Sequence, residues 1–385
     1  MRSETVELLE RLIAFPSISS ESNLDLINFI EEYLTAHGVT SQRIWSPCGN
    51  KASLIANIGP SVPGGIVLSG HTDVVPVVGQ AWLTDPWRLT AKHGKLYGRG
   101  TCDMKGFIAI ALSRVADMVK MGLRRPVQLA FSHDEEVGCG GAEAIVSALK
   151  NAFPMASAVI IGEPTLMKVV SAHKGMLGFR TTVHGYEVHS SLVNKGVSAV
   201  MRAADIISWH NIQNEKNALV SSALSTATPF DIAFTTLHVG TITGGTALNI
   251  TARRCEFVTD IRTIPGEDAE WKDAYLNKVE TVSRQMQKIR SEAWIEVNQF
   301  INMPSLIATP ASTASALAKR LTNEEDELAV SYGTEAGFFQ KYGYSVVVCG
   351  PGSIENAHQP NEFIAVSEVE RCEKFIDDLL VSLCQ

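Results

Sequence analysis

Missing from this chain is any apolar run approaching the ~20 residues that a membrane-spanning helix requires. Its first ten residues, Met1 to Glu10, place acids where a secretory leader needs an unbroken apolar stretch. A cytoplasmic protein is therefore expected, with no membrane as partner. Positive charge is also in deficit, with 33 Lys and Arg against 41 Asp and Glu and a net charge of −8. Nucleic acids and anionic surfaces are bound by basic patches, so no nucleic acid is expected as partner either. The cysteines (Cys48, Cys102, Cys139, Cys255, Cys349, Cys372 and Cys384) are odd in number, scattered, and include no CxxC pair. That is the pattern of reduced thiols rather than of a disulfide framework or a thiolate zinc site. Any metal would fall to His and carboxylates.

What is present, 385 residues of which 45% are apolar, is enough to build two domains with sizeable cores. The chain is organised around residues 131–138, where the apolar run 127–131 breaks at Asp134, Glu135 and Glu136 and then at Gly138. Strand residues that stop at charges mark a buried parallel strand opening into a site. Ligands of open α/β sheets collect along that carboxyl edge. Neighbours at a strand end point in different directions, so Glu135 and Glu136 can divide a metal and a proton between them. Taken alone, three adjacent acids are more often a solvated turn.

Around this stretch the pattern alternates. Helical spacing covers residues 5–14 and 24–37, strand-like runs cover 52–57 and 65–70, and the second run empties into His71 and Asp73. Asp103 stands just ahead of a helical pattern over 107–121, a helix is expected from Glu143, and the strand 158–161 ends at Glu163. This alternation predicts an α/β fold with a doubly wound mixed sheet. Residues 176–300 break it with the order β-α-β-β-α-β, the split βαβ arrangement of an α+β ferredoxin-like layer. The first pattern then resumes to a last helix over 366–383. A catalytic domain from 1–175 and 301–385 with an inserted domain over 176–300 is expected.

His71, Asp73, Asp103, Glu135, Glu136 and Glu163 all fall at strand ends or a helix start, and His358 follows another predicted strand. Two imidazoles with several carboxylates and no thiolate suit Zn²⁺ at a hydrolytic site. Two cations sharing one carboxylate would also offset the repulsion among so many acids.

These residues carry a resemblance. The segments Ser69-Gly70-His71-Thr72-Asp73-Val74-Val75-Pro76, Gly98-Arg99-Gly100-Thr101-Cys102-Asp103-Met104-Lys105-Gly106, Asp134-Glu135-Glu136-Val137-Gly138 and Gly162-Glu163-Pro164 resemble, in order, the motifs of the dizinc aminoacylase and carboxypeptidase family. The resemblance implies two Zn²⁺ per subunit, with Co²⁺ able to substitute. It puts His71 and Glu163 on one ion, Glu136 and His358 on the other, and Asp103 between them. Asp73 would accept the second ring proton of His71, as metal-bound imidazoles usually require. Glu135 would be the general base.

Within the family, Asp85-Pro86-Trp87, Ala172-His173-Lys174-Gly175, Asp260-Ile261-Arg262-Thr263-Ile264-Pro265-Gly266, Thr334-Glu335-Ala336 and residues 350–360 are most similar to the members that remove acetyl from N2-acetyl-L-ornithine. Relatives acting on other N-acyl amino acids, such as succinyl-diaminopimelate, or on dipeptides share the chemistry. A binding protein that has kept the fold and lost catalysis is the remaining alternative. For an ornithine substrate, Arg262 is the candidate for the α-carboxylate, and Glu335, beside Thr334, for the ammonium. Gly185-Tyr186-Glu187-Val188-His189-Ser190-Ser191 is similar to the family's inserted-domain histidine motif, although Val188 is bulkier than the small residue often found there. The resemblance implies a homodimer through the inserted domain, which acts as a lid and brings His189, with Asn249, to the neighbouring subunit's site. His133, His173, His184, His238 and Lys105 are expected to serve packing or hydrogen bonding.

Overall fold

Val127–Ser132 and Ile66–His71 are buried at every residue, as strands covered on both faces are. In the computed structural model, which describes residues 1–223 and 230–385, they lie side by side and parallel within an eight-stranded mixed sheet. The strand order is Ser41–Trp45, Ala52–Ile58, Val127–Ser132, Ile66–His71, Ala158–Pro164, Val346–Gly350, Val170–His173, Leu328–Val330. The run from Val127–Ser132 to Val346–Gly350 is parallel throughout, so four carboxyl ends share one edge. Ala52–Ile58 joins it antiparallel. Helix Lys105–Leu112 is apolar nearly all round and wholly buried, among Leu9, Leu12, Ile364 and Phe375 of one continuous core. The helix expected over 107–121 is two, Lys105–Leu112 and Val115–Lys120. At the break the Ser113 hydroxyl donates back to the Ile110 carbonyl at 2.8 Å, and the buried Arg114 guanidinium reaches Asp377 at 2.8 Å. A small antiparallel sheet of Thr90–Lys92, Lys95–Tyr97 and Phe363–Ala365 belongs to the same unit.

That unit comprises Met1–Ala172, Ala308–Leu328 and Thr334–Gln385. A second runs over His173–Ile307 and also takes in Ala329–Gly333, a return of the chain that an insertion over 176–300 does not contain. Its elements are Gly175–His184, Ala199–Ala223, Thr236–Gly244, Arg254–Thr263, Asp268–Gln287 and Trp294–Met303, which is the expected β-α-β-β-α-β order. The four strands pair antiparallel in the order Thr236–Gly244, Arg254–Thr263, Gly175–His184, Trp294–Met303. Alternate residues of Arg254–Thr263 are buried, and Phe257 and Ile261 meet Ile206 and Tyr275 of the two helices in a separate core. Thr236–Gly244 is an edge strand, exposed over its second half.

Candidate metal centre

Strand ends deliver most of the site. His71 closes Ile66–His71, Glu163 lies near the end of Ala158–Pro164, Glu135 and Glu136 follow Val127–Ser132, and His358 lies in the loop after Val346–Gly350. Asp103 comes from the turn ahead of Lys105–Leu112 and is joined to Met104 by a cis peptide. His71 Nε2 is 3.0 Å from Asp103 Oδ1 and 3.6 Å from Glu163 Oε1. His358 Nε2 is 3.3 Å from Asp103 Oδ2 and 2.9 Å from Glu136 Oε2. The two oxygens of Asp103 thus face two different imidazoles. His71, Glu135 and Glu163 form one group with ligand atoms within 4.8 Å of one another, and His71, Asp103 and Glu136 form another.

The electrostatics ask for cations. Burial, reinforced by the Asp103 charge, raises the Glu163 carboxyl well above its ordinary range and lifts Glu136 to about 7. Glu135 is likewise raised well up, by burial first. Burial opposes ionisation of Asp103 too, but hydrogen bonds from His358 and His71 hold it below the usual carboxylate range. His358 is lifted to about 10 by Asp103 and Glu136. Four carboxyl groups here share two imidazoles, and Glu136 Oε1 is buried with no hydrogen-bond partner among the described residues. Dications would supply the missing charge and occupy that oxygen, so the donor set fits them.

Asp73 differs from expectation. His71 Nδ1 meets the backbone carbonyl of Asp73 at 2.9 Å, while the nearer Asp73 carboxylate oxygen is 3.7 Å away. The carboxylate instead accepts the backbone N–H of Glu135 at 3.1 Å, that of Glu136 at 3.3 Å, and the Ser19 hydroxyl at 2.7 Å. The turn after the strand leaves those two amides without ladder partners, and Asp73 satisfies them. Glu335 is 1% exposed, as buried as His71, and accepts from the Ser69 hydroxyl at 3.3 Å, while its other carboxylate oxygen has no hydrogen-bond partner among the described residues. Thr334 is buried, and its hydroxyl accepts the Ala336 amide at the start of helix Ala336–Lys341.

In the second unit, His189 is exposed, with Nδ1 2.8 Å from the Ser191 hydroxyl. The Asn249 carbonyl accepts the Ser190 amide at 2.9 Å, so the exposed Asn249 and His189 lie on neighbouring segments. Arg262 is paired with Asp260 at 3.0 Å. Sequence reasoning passed over Ser19, Cys139, whose thiol donates to Glu135 Oε1 at 3.4 Å, and the trio Gln80, Arg99 and Glu362. The available signal was proximity: Arg99 shares a motif with Asp103, and Glu362 stands four residues past His358.

Imidazoles and clustered carboxylates on the carboxyl edge of a mixed α/β sheet are a donor set for metal-dependent hydrolysis. The sequence pattern of peptidase family M20/M25/M40 matches residues 67–382, and the chain belongs to that family. It is 34% identical to proteins named acetylornithine deacetylase from Proteus mirabilis, covering 98% of this chain and 96% of the relative, and from Photorhabdus laumondii, covering 98% and 97%. Among solved structures, it shares its fold with an M20 family metallo-carboxypeptidase from Sulfolobus solfataricus (TM-score 0.75, 20% identity, 99% of each chain covered). A tripeptidase from Staphylococcus aureus matches with a TM-score of 0.75 at 17% identity, over 99% of this chain and 98% of that one.

Proposed function

We propose that this protein removes the acetyl group from N2-acetyl-L-ornithine, giving L-ornithine and acetate, and that it does so as a cytoplasmic homodimer holding two zinc ions per subunit. His71 and Glu163 would hold one ion, Glu136 and His358 the other, and Asp103 both. When bound, such ions lower the pKa of water toward neutrality and polarise a carbonyl. Glu135 takes the proton of the attacking water and hands it to the departing amine. Its burial suits that work by favouring the protonated form more than solvent would. The Cys139 thiol and the Asp73 carboxylate fix the Glu135 side chain and backbone. His189 donates to the oxyanion, and Arg262 exchanges Asp260 for the substrate carboxylate.

The observation that carries this reading is the spread of Asp103 between two imidazoles, 3.0 and 3.3 Å away, in a chain that aligns almost end to end with acetylornithine deacetylases. The test is metal analysis of the purified protein with rates on N2-acetyl-L-ornithine, N-acetyl-L-methionine, N-succinyl-L,L-diaminopimelate and a dipeptide. Two zinc equivalents are expected, with kcat/KM for acetylornithine at least ~10-fold above the others. A preference for the succinyl compound or the dipeptide would overturn the substrate assignment.

A further inference from the structure

The loop carrying Asp103 and the loop carrying His358 are far apart in sequence, yet their side chains must hold a fixed separation for one carboxylate to serve both imidazoles. A second network, behind the site, joins the two loops. Glu362 is fully buried, and its Oε1 accepts the backbone N–H of Cys102 at 2.8 Å and of Asp103 at 3.0 Å. Its Oε2 accepts the Gly100 amide at 3.0 Å and the Arg99 guanidinium at 2.6 Å. Arg99, equally buried, uses its other terminal nitrogen to donate to Gln80 Oε1 at 2.6 Å. The Trp82 indole donates to that same oxygen at 3.0 Å. Indole and guanidinium are donors only, so they fix the Gln80 amide with its oxygen toward them. Its nitrogen is thereby turned to the His358 carbonyl, to which it donates at 2.8 Å.

We propose that Glu362, Arg99 and Gln80 are positioning residues that set His358 against Asp103 and thereby set the span of the metal centre. The inference rests on the two-metal reading above. Two features favour it over a purely structural role for the pair. First, His358 has a left-handed backbone (φ 61°), which a non-glycine residue keeps only where its surroundings over-determine it, and its side chain is 50% exposed. The Gln80 amide grips its carbonyl, and Asn361 accepts the Leu83 amide at 2.7 Å, a second tie between the same two segments. Second, a buried ion pair stabilises little by itself, whereas a planar guanidinium that reaches Glu362 with one terminal nitrogen and Gln80 with the other fixes the two relative to each other. All four acceptor positions of Glu362 are used, and three of them end on the backbone leading into Asp103.

The test uses the full chain, stripped of metal by chelation and titrated with Co²⁺ followed by visible absorption and with Zn²⁺ by calorimetry. Glu362→Gln removes charge at the centre of the frame and risks the fold. Gln80→Met does not, since Gln80 is half-buried and the length is kept. The wild type is expected to take up two ions. Gln80→Met is expected to weaken one of them ~10–100-fold, the usual scale for groups behind a metal ligand, and to leave the other unchanged. Its metal-free Tm should fall by no more than a few degrees, the cost of leaving the Arg99 and Trp82 donors without the Gln80 oxygen, and kcat should fall more than KM rises. Glu362→Gln, where it folds, should weaken both ions. Two ions bound by Gln80→Met as tightly as by wild type would overturn the frame while leaving the two-metal reading intact, as would equal weakening of both with a larger fall in metal-free Tm. A single ion in the wild type would overturn both.

Discussion

At the scale of single residues, the adjacent acids Glu135 and Glu136 are separated by what surrounds them. Glu136 faces His358, whereas Glu135 receives a thiol hydrogen bond and lies against His71 and Glu163. Distance alone would let Glu135 be a ligand, so the division of labour needs a functional test. Glu135→Gln is expected to keep near-normal metal content while kcat falls at least ~10²-fold, the usual scale for a general base. Loss of one metal ion on that substitution would exchange the roles of the two. Taken alone the acids read as a solvated turn; it is the ordered set of motifs around them that makes them legible in the sequence as site residues. The work of Asp73 was not legible, because the two amides it satisfies lie in the turn after a strand that stands beside its own only after the sheet has formed.

Among the elements, helix Ala199–Ala223 carries an unusual burden. His210 is 2% exposed, stacks on Tyr275 at 5.7 Å, and has no partner for either ring nitrogen among the described residues. Burial, with help from Lys278, holds it neutral with a pKa of about 4 against an ordinary 6.5. Between those values the unfolded chain binds a proton that the folded chain refuses, so stability rises with pH across the window and is lost as pH falls through it. His173, also depressed to about 4 by burial, adds to the same trend. Phenylalanine keeps the stacking and has no nitrogen to protonate. His210→Phe is therefore expected to recover roughly 2 kcal/mol of the stability lost between pH 7 and pH 5, read from urea midpoints. An unchanged pH dependence would mean that His210 finds a proton acceptor in the folded state. The long, strongly patterned elements were readable because burial on both faces or on one stripe leaves a period in the sequence. Thr90–Lys92, Lys95–Tyr97 and Phe363–Ala365 were not anticipated. Three residues hold no period: Thr90–Lys92 and Lys95–Tyr97 pair with each other as a hairpin, and Phe363–Ala365 joins them from across the fold.

For the whole molecule, the question is whether two copies are needed. An exposed edge strand, Thr236–Gly244, can be closed by a symmetric copy of itself. We expect a homodimer in which His189 serves the partner's metal centre. Mixing inactive His189→Ala with inactive Glu135→Gln and allowing subunits to exchange should then give mixed dimers with one intact site, active at about half the wild-type level per dimer. A mixture that stays inactive after verified exchange would place His189 in its own chain's site. What the sequence by itself determined is the chemistry on offer: His71, Glu135, Glu136 and Glu163 at the ends of buried runs, Asp103 ahead of a helix, His358 in a loop after a strand, and a change of pattern near 176. These are local properties, written in side-chain type and hydrophobic period. Only the tertiary structure decided that Asp103 divides its oxygens between two imidazoles, that Asp73 serves a neighbouring strand, and that Gln80, Arg99 and Glu362 tie the loops of Asp103 and His358 together. Each of these is a hydrogen bond between segments distant in the chain. Such bonds have no signature in sequence spacing, because the sheet brings their partners together.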